Sequence, residues 1–451
     1  MLTFYAPLMA YLLSFPIMLI TLARVEIGII YFAMLVPFIA VMKKIQLFPQ
    51  GHNMPDFLIV AIILGWILAA AKHGRQLLQP SPINFAVLAV VMGAVVNLIT
   101  YFTQNSFSSD INLEILKDWK NFMILPILYF IAINNVDRNK TSKLIVICVS
   151  LSLLGMAFNF HSTFRWLKTY HYSHDIRIAG PFVFLGPNEL GIFFAMMCFL
   201  LLGIAYYIDN RIFKYFLLFV CLCCLYPVVY SYSRSAYACA AAGIFIIGIL
   251  KDRKVLVLFC FVLIFYRILL PNSVIERIDS TFLDKTTATE ETLERRALDI
   301  GDTTLDTVNR VGLWKKALTH FEEHPLFGIG FRAFAKREGK ITHSLFMQIL
   351  AEQGLFGLGI FVLFVTVCLR QGYTLFRRSP NKFGRGIGLG FFTCSILLLV
   401  GSLGGDISLY YNLMCVYWLF LGIVARYNLD YVTNATESFE KIEPNVLVSN
   451  E

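Results

Sequence analysis

Charge is what this sequence has least of. Only 15% of its 451 residues are charged and 58% are hydrophobic, against about 25% and about 45–50% in soluble domains, and the mean hydropathy is +0.68. That balance excludes a soluble globular chain and leaves an integral membrane protein. The polar loops also lack cysteine, since all ten lie in apolar stretches, Cys221, Cys223 and Cys224 among them. A disulfide framework and a cysteine-based zinc site in the aqueous parts are thereby excluded, and the thiols read as small buried hydrophobes. There is no internal repeat and no phosphate-cradling nucleotide loop. His320 with His324, and His171 with His174, share helical spacing but lack the third ligand and general base of a zinc motif, so no metal is expected. The net charge of +9 is spread over many short loops. Such charge sets topology and does not point to nucleic acid.

What is present is a succession of apolar runs. A helix needs about 20 apolar residues to cross a bilayer. Candidate spans fall at 3–23, 27–42, 57–71, 84–103, 121–135, 143–160, 180–207, 213–232, 236–250, 255–270, 345–369, 386–404 and 408–425. The expected fold is therefore all-α and polytopic, with twelve or thirteen membrane helices. The first run, Leu2 to Ala23, reads as a retained span because no signal-peptide pattern precedes it. The seventh is interrupted by Gly186-Pro187-Asn188. Broken backbone at membrane depth is tolerated only where it is buried or lines a cavity, so the break points to a site. The Lys/Arg-rich loops, such as Arg370 to Arg385, fall on one side when loop 271–343 is placed on the other. That makes the long loop external. The tail from Tyr427 is polar and acidic and reads as a disordered cytoplasmic end.

Four polar constellations interrupt the hydrocarbon, all on the loop side under this topology. They are Arg177 through Asn188-Glu189, the turn Ser231-Tyr-Ser-Arg234-Ser235, the long loop, and Gly404-Gly-Asp406. Arginine suits phosphate because its planar fork donates paired hydrogen bonds and stays charged. The other reading is that Arg177 and Arg234 snorkel or pair with a carboxylate. Within the loop, Val308, Val311, Trp314, Leu318 and Phe321 recur every three or four residues, predicting an amphipathic helix over 305–323 that lies along the membrane surface. Arg310 lies near its start, His324-Pro325 ends it, and Gly328-Ile-Gly330 turns the chain back. His343 stands where the loop enters the next span. A neutral imidazole there could accept a proton from an incoming hydroxyl, although a lone histidine is often only structural.

The order Arg177…Pro187-Asn188, Ser233-Arg234, Arg310-x-x-x-Trp314, His324-Pro325-Leu-Phe-Gly328-x-Gly330 and His343…Ala351-Glu352-x-Gly354-x-x-Gly357 resembles the O-antigen ligase and polymerase family of bacterial inner membranes. The resemblance runs from about Arg177 to Val424. It implies three regions: N-terminal spans over 1–170, a catalytic region over 171–425 containing periplasmic loop 271–343, and a tail over 426–451. It also implies a GT-C-like helical fold, and an active site facing the periplasm. The implied reaction is a metal- and cofactor-free, inverting glycosyl transfer. The donor would be an undecaprenyl-diphosphate-linked glycan and the acceptor a glycan or lipid A-core.

By the same resemblance His343 is the base, and Arg177 and Arg234 grip the diphosphate with Arg310. Asn188, Trp314, Ser344, Glu352 and Asp406 would support them. Ser344 departs from the family, which commonly has Asn after the histidine, so acceptor positioning is expected to differ. The acidic stretch 276–309 is long for the family. Ligase, polymerase and a protein O-glycosylating relative stay open. A transporter or flippase of lipid-linked glycan is the rival from another class. Repeats and mid-bilayer charges would mark it.

Overall fold

The computed structural model describes residues 2–39, 43–74, 76–137, 140–163, 186–283, 303–405, 407 and 410–440. Each of the thirteen predicted spans meets a helix. The first six are α1 (Leu2–Ala23), α2 (Val25–Ile39), α3 (Met54–His73), α4 (Pro82–Gln104), α5 (Ser109–Asn135) and α6 (Lys140–Thr163). Then come α7 (Pro187–Ala205), α8 (Arg211–Tyr230), α9 (Arg234–Leu250) and α10 (Arg253–Ile264). The short α11 (Tyr266–Leu269) follows, and the long loop carries α12 (Asn272–Leu283), α13 (Thr303–Glu323) and α14 (Ala333–Glu338). After it follow α15 (Leu345–Arg378), α16 (Lys382–Ser402) and α17 (Tyr411–Glu440). Among the described residues there is no strand. Nine helices there are long and apolar enough to cross a membrane, with α2 and α9 apolar but shorter. The protein is an all-α, multi-pass membrane protein.

Several boundaries differ from the sequence reading. Helix α5 begins at Ser109, well before the predicted 121, because its charged first half pairs with the loop: Lys336 Nζ lies 2.6 Å from Glu114 and Arg332 pairs with Asp118. Helix α17 continues to Glu440, where a disordered tail was expected. At the expected break, Gly186 is the extended N-cap and Pro187 opens α7, Pro being suited to a helix's first turn. The stretch that would precede the break, 164–185, lies outside the described residues.

Helix α7 is the most enclosed of the long helices, with 89% of its apolar window buried inside the protein. It packs on α8, α9 and α16. Backbones approach closely there because Gly203 faces Gly390, whose nitrogen lies 2.5 Å from where a Cβ on Gly203 would stand. Small residues are what let membrane helices meet without a hydrophobic driving force between them.

The loop is fastened to the helices by backbone pairing. Helix α15 is kinked at Gly354 (φ 61°, ψ −156°), a conformation reached essentially by glycine alone. A kink leaves carbonyls before it and amides after it without intrahelical partners, which is costly where water is scarce. The segment after α13 supplies them. Ile329 N and Gly330 N donate to the carbonyls of Ala351 and Glu352 at 2.9 and 3.0 Å. Leu355 N and Phe356 N donate to the carbonyls of Pro325 and Leu326 at 2.8 and 3.0 Å. The approach leaves no room for a Cβ on Gly328, which would lie 2.3 Å from the Glu352 carbonyl carbon. The His-Pro-x-x-Gly-x-Gly and Ala-Glu-x-Gly runs are thus two halves of one joint. Under it sits a second small core of Tyr101, Ile115, Leu313, Ala317, Phe331 and Phe334.

Candidate functional site at the loop–membrane boundary

Helix α13 forms where expected, but the face it buries shares Trp314 with the predicted stripe and is otherwise shifted from it. Leu313 and Ala317 pack inward against α15, whereas Val311 and Leu318 of the predicted stripe are 45% and 41% exposed. The reason is the joint just described, which draws the Leu313–Ala317 side onto the second core. It leaves Val311, Leu318, Leu326 and Phe327 turned outward, as apolar residues resting on lipid would be.

The inward side of α13 also carries Arg310 and Trp314, one turn apart and so on one face. Trp314 Nε1 donates to the Thr342 carbonyl at 3.0 Å. Thr342 is buried, and its hydroxyl donates to the Ser344 carbonyl at 2.8 Å while accepting from Ser344 N at 3.3 Å. Between them His343 is held at φ 55°, in the left-handed region. Ser344 then caps α15, its carbonyl accepting from Gln348 N at 3.0 Å. The histidine is therefore displayed on a clamped, strained turn at the mouth of a helix.

One turn back, Arg310 Nη1 donates to the Gly404 carbonyl at 3.4 Å. A Cβ on Gly404 would lie 2.5 Å from Ser235 Oγ, and one on Gly405 3.6 Å from Glu189 Oε1. The turn holding Arg234 and the start of α7 thus meet the 404–405 turn that Arg310 touches. Arg234 opens α9 behind the N-cap Ser233, which accepts from Ala236 N. Tyr232, two residues earlier, is fully buried at φ 50°. Its hydroxyl donates to Ser273 at 3.0 Å, and its carbonyl accepts from Arg277 Nε at 3.3 Å. Helix α12 therefore clamps the turn that carries Arg234.

Of the predicted site residues, the structure gathers His343, Ser344 and Trp314 directly, and Arg310 with the Arg234 turn through Gly404. Asn188 stands half-buried in the first turn of α7, beside buried Glu189. Glu352 lies two turns further along α15, 2% exposed. It accepts from Phe334 N at 3.3 Å and from Gln348 Nε2 at 3.2 Å. Arg177 and Asp406 lie outside the described residues. Sequence reading named Glu189 and Tyr232 only as members of polar constellations, without a role, and did not single out Ser273, Arg277 or Thr342. An acidic residue in the first turn of an otherwise apolar helix was the available signal for Glu189. Nothing in the sequence marks a left-handed tyrosine.

On the remaining face of α13, His320 Nε2 and Lys316 Nζ lie 2.9 and 2.6 Å from the Glu338 carboxylate. The hydrogen bond from Lys316 outweighs partial burial and, with His320, holds the Glu338 carboxyl below its ordinary value of 4.5. His320 is thereby used in fastening α13 to α14.

Fold and site define a multi-pass membrane protein with basic and imidazole side chains gathered at one membrane boundary. Residues 217–362 match the family model described as O-Antigen ligase. That match supports an O-antigen ligase/polymerase family assignment for this stretch. The matched stretch contains Arg234, Arg310, Trp314, His343, Ser344 and Glu352, and excludes Arg177, Asn188 and Asp406. No curated protein matches the chain. The family supports a membrane ligase- or polymerase-type function with glycan and lipid-linked substrates.

Proposed function

We propose that this chain is a glycosyltransferase of surface-polysaccharide assembly in the bacterial inner membrane. It moves glycan from undecaprenyl diphosphate to an acceptor hydroxyl at the periplasmic face. The acceptor oxygen bonds to the anomeric carbon from the side opposite the diphosphate, inverting that centre. The carbon–oxygen bond to the diphosphate breaks and its electron pair leaves with undecaprenyl diphosphate. His343 takes the acceptor proton and returns it to solvent. Arg177, Arg234 and Arg310 stabilise the charge that grows on the leaving group, and fixed charges of this kind commonly lower the barrier more than any other device in such sites. Guanidiniums supply that positive charge, and the step calls for no metal or cofactor.

One observation carries this reading: a single helix, α13, holds the His343 turn through Trp314 and reaches the Arg234 neighbourhood through Arg310. A base and an anion grip are thus tied to one rigid element, as positioning for group transfer requires. The test is His343→Asn, with membrane expression verified, followed by assay of surface glycan. Glycan at the normal level sinks the proposed base. Incubating the purified protein with lipid-linked glycan and either lipid A-core or a second lipid-linked repeat unit decides between ligase and polymerase.

A further inference from the structure

Below His343, one face of α15 carries Leu345, Gln348, Ile349 and Glu352 at helical spacing, and this face lines a cavity of roughly 130 Å³ between α4, α5, α15, α16 and α17. Most of its wall is aliphatic or aromatic, including Phe361 and Trp418. Its polar residues are few, and two are incompletely satisfied. Gln348, 4% exposed, gives its Nε2 to Glu352 Oε2, which turns Oε1 the other way, buried and without a partner. Asn97, 3% exposed, likewise has a buried Oδ1 without a partner, although its backbone carbonyl accepts from Phe331 N at 3.1 Å.

Buried acceptors of this kind call for donors. A hydrocarbon tail would leave both oxygens orphaned. A phosphate would set an anion against two acceptor oxygens and the Glu352 carboxylate, the opposite of the arginine-bearing turns above. A hydroxylated ring satisfies both demands, with O–H groups on the amide oxygens and C–H faces on the aromatic walls. The space is of the right order, since a cavity of ~150 Å³ accepts one benzene ring. We propose that this cavity is a subsite for one sugar ring of the acceptor, with Asn97 and Gln348 receiving its hydroxyls; this rests on the glycosyl-transfer reading. The ring would sit one turn along α15 from His343, which places a further hydroxyl toward the base.

The test uses the full-length protein in lipid nanodiscs and octyl β-glucoside carrying a diazirine in its alkyl chain, with labelled residues mapped by peptide mass spectrometry. Labelling is expected at the cavity walls, competed by octyl β-glucoside at least tenfold better than by octanol or octyl phosphate. Asn97→Leu removes an oxygen that has no partner, so it should leave thermal stability unchanged while weakening labelling at least fivefold. Gln348→Met should act in the same direction. Equal competition by octanol, preferred competition by octyl phosphate, or unchanged labelling in Asn97→Leu each overturns the subsite. In His343→Asn the labelling should persist while transfer is lost. Transfer that survives His343→Asn with labelling intact would instead strike at the reaction proposed for the chain, leaving the cavity's selectivity measured.

Discussion

A histidine at φ 55° costs the fold about 1–2 kcal/mol relative to a residue in ordinary backbone conformation. Asparagine, like histidine, visits that region more readily than most side chains. His343→Asn should therefore melt within a degree or two of the parent while losing about 10²–10⁴-fold in transfer rate, the usual span for a lost general base. His343→Ala should lose activity and also about 1 kcal/mol of stability, because alanine tolerates the turn less well. A thermal-shift series on the two variants separates the roles, and equal melting temperatures would remove the strain argument. Trp314→Phe tests the clamp from the other side. A smaller aromatic ring replaces the indole and its N–H to the Thr342 carbonyl is gone, the lost bond alone worth about 1 kcal/mol. If that bond positions His343, kcat should fall about fivefold to tenfold with KM nearly constant, whereas a purely structural bond would lower only the melting temperature.

The loop's elements are bound to the membrane helices by two different kinds of contact, and each predicts its own sensitivity. At the kink, a Cβ on Gly354 would lie 2.6 Å from the Leu326 carbonyl, on top of a φ of 61°. Strain and overpacking together make Gly354→Ala a loss of about 3 kcal/mol or more. Gly339 has a similar φ of 71° but open space around it, so Gly339→Ala should cost only about 1–2 kcal/mol. Comparable folded yields for the two variants on size-exclusion chromatography would contradict the joint. The α13–α14 contact is electrostatic instead. Because Glu338 titrates below 4.5 in the folded protein, its contribution is complete above that value and fades as pH falls through the lowered one. Hydrogen-exchange protection of α14, relative to the intrinsic rate at each pH, should fall as the pH drops below 4.5, and Lys316→Met should flatten that dependence. Lys316 is 58% exposed, so the effect is expected to be small.

Across the whole molecule, the helices were legible because each needs a long apolar run, and that requirement is written in composition. The ends were less so: the start of α5 depends on Glu114 and Asp118 finding partners more than 200 positions away. His343, Arg310 and Trp314 could be singled out because each is polar or amphipathic beside hydrocarbon. The inward face of α13 could not, since Leu313–Ala317 and Val311–Leu318 are equally plausible stripes until the partner surface is known. The glycines of 328–357 were visible, but backbone pairing has no side-chain signature, and so their joint was not. That joint also orders the birth of the protein. Emerging α15 carries amides and carbonyls at Gly354 whose partners, Pro325 to Gly330, precede it in the chain. With the loop at the periplasmic face, as proposed above, it must already have crossed the bilayer when α15 settles, which makes translocation of one and insertion of the other a single event. A chimera exchanging only residues 271–343 with a relative should consequently be degraded, while one exchanging 271–378 should accumulate in the membrane. Immunoblotting of membrane fractions distinguishes the two, and it makes loop plus helix the smallest unit that evolution can trade intact.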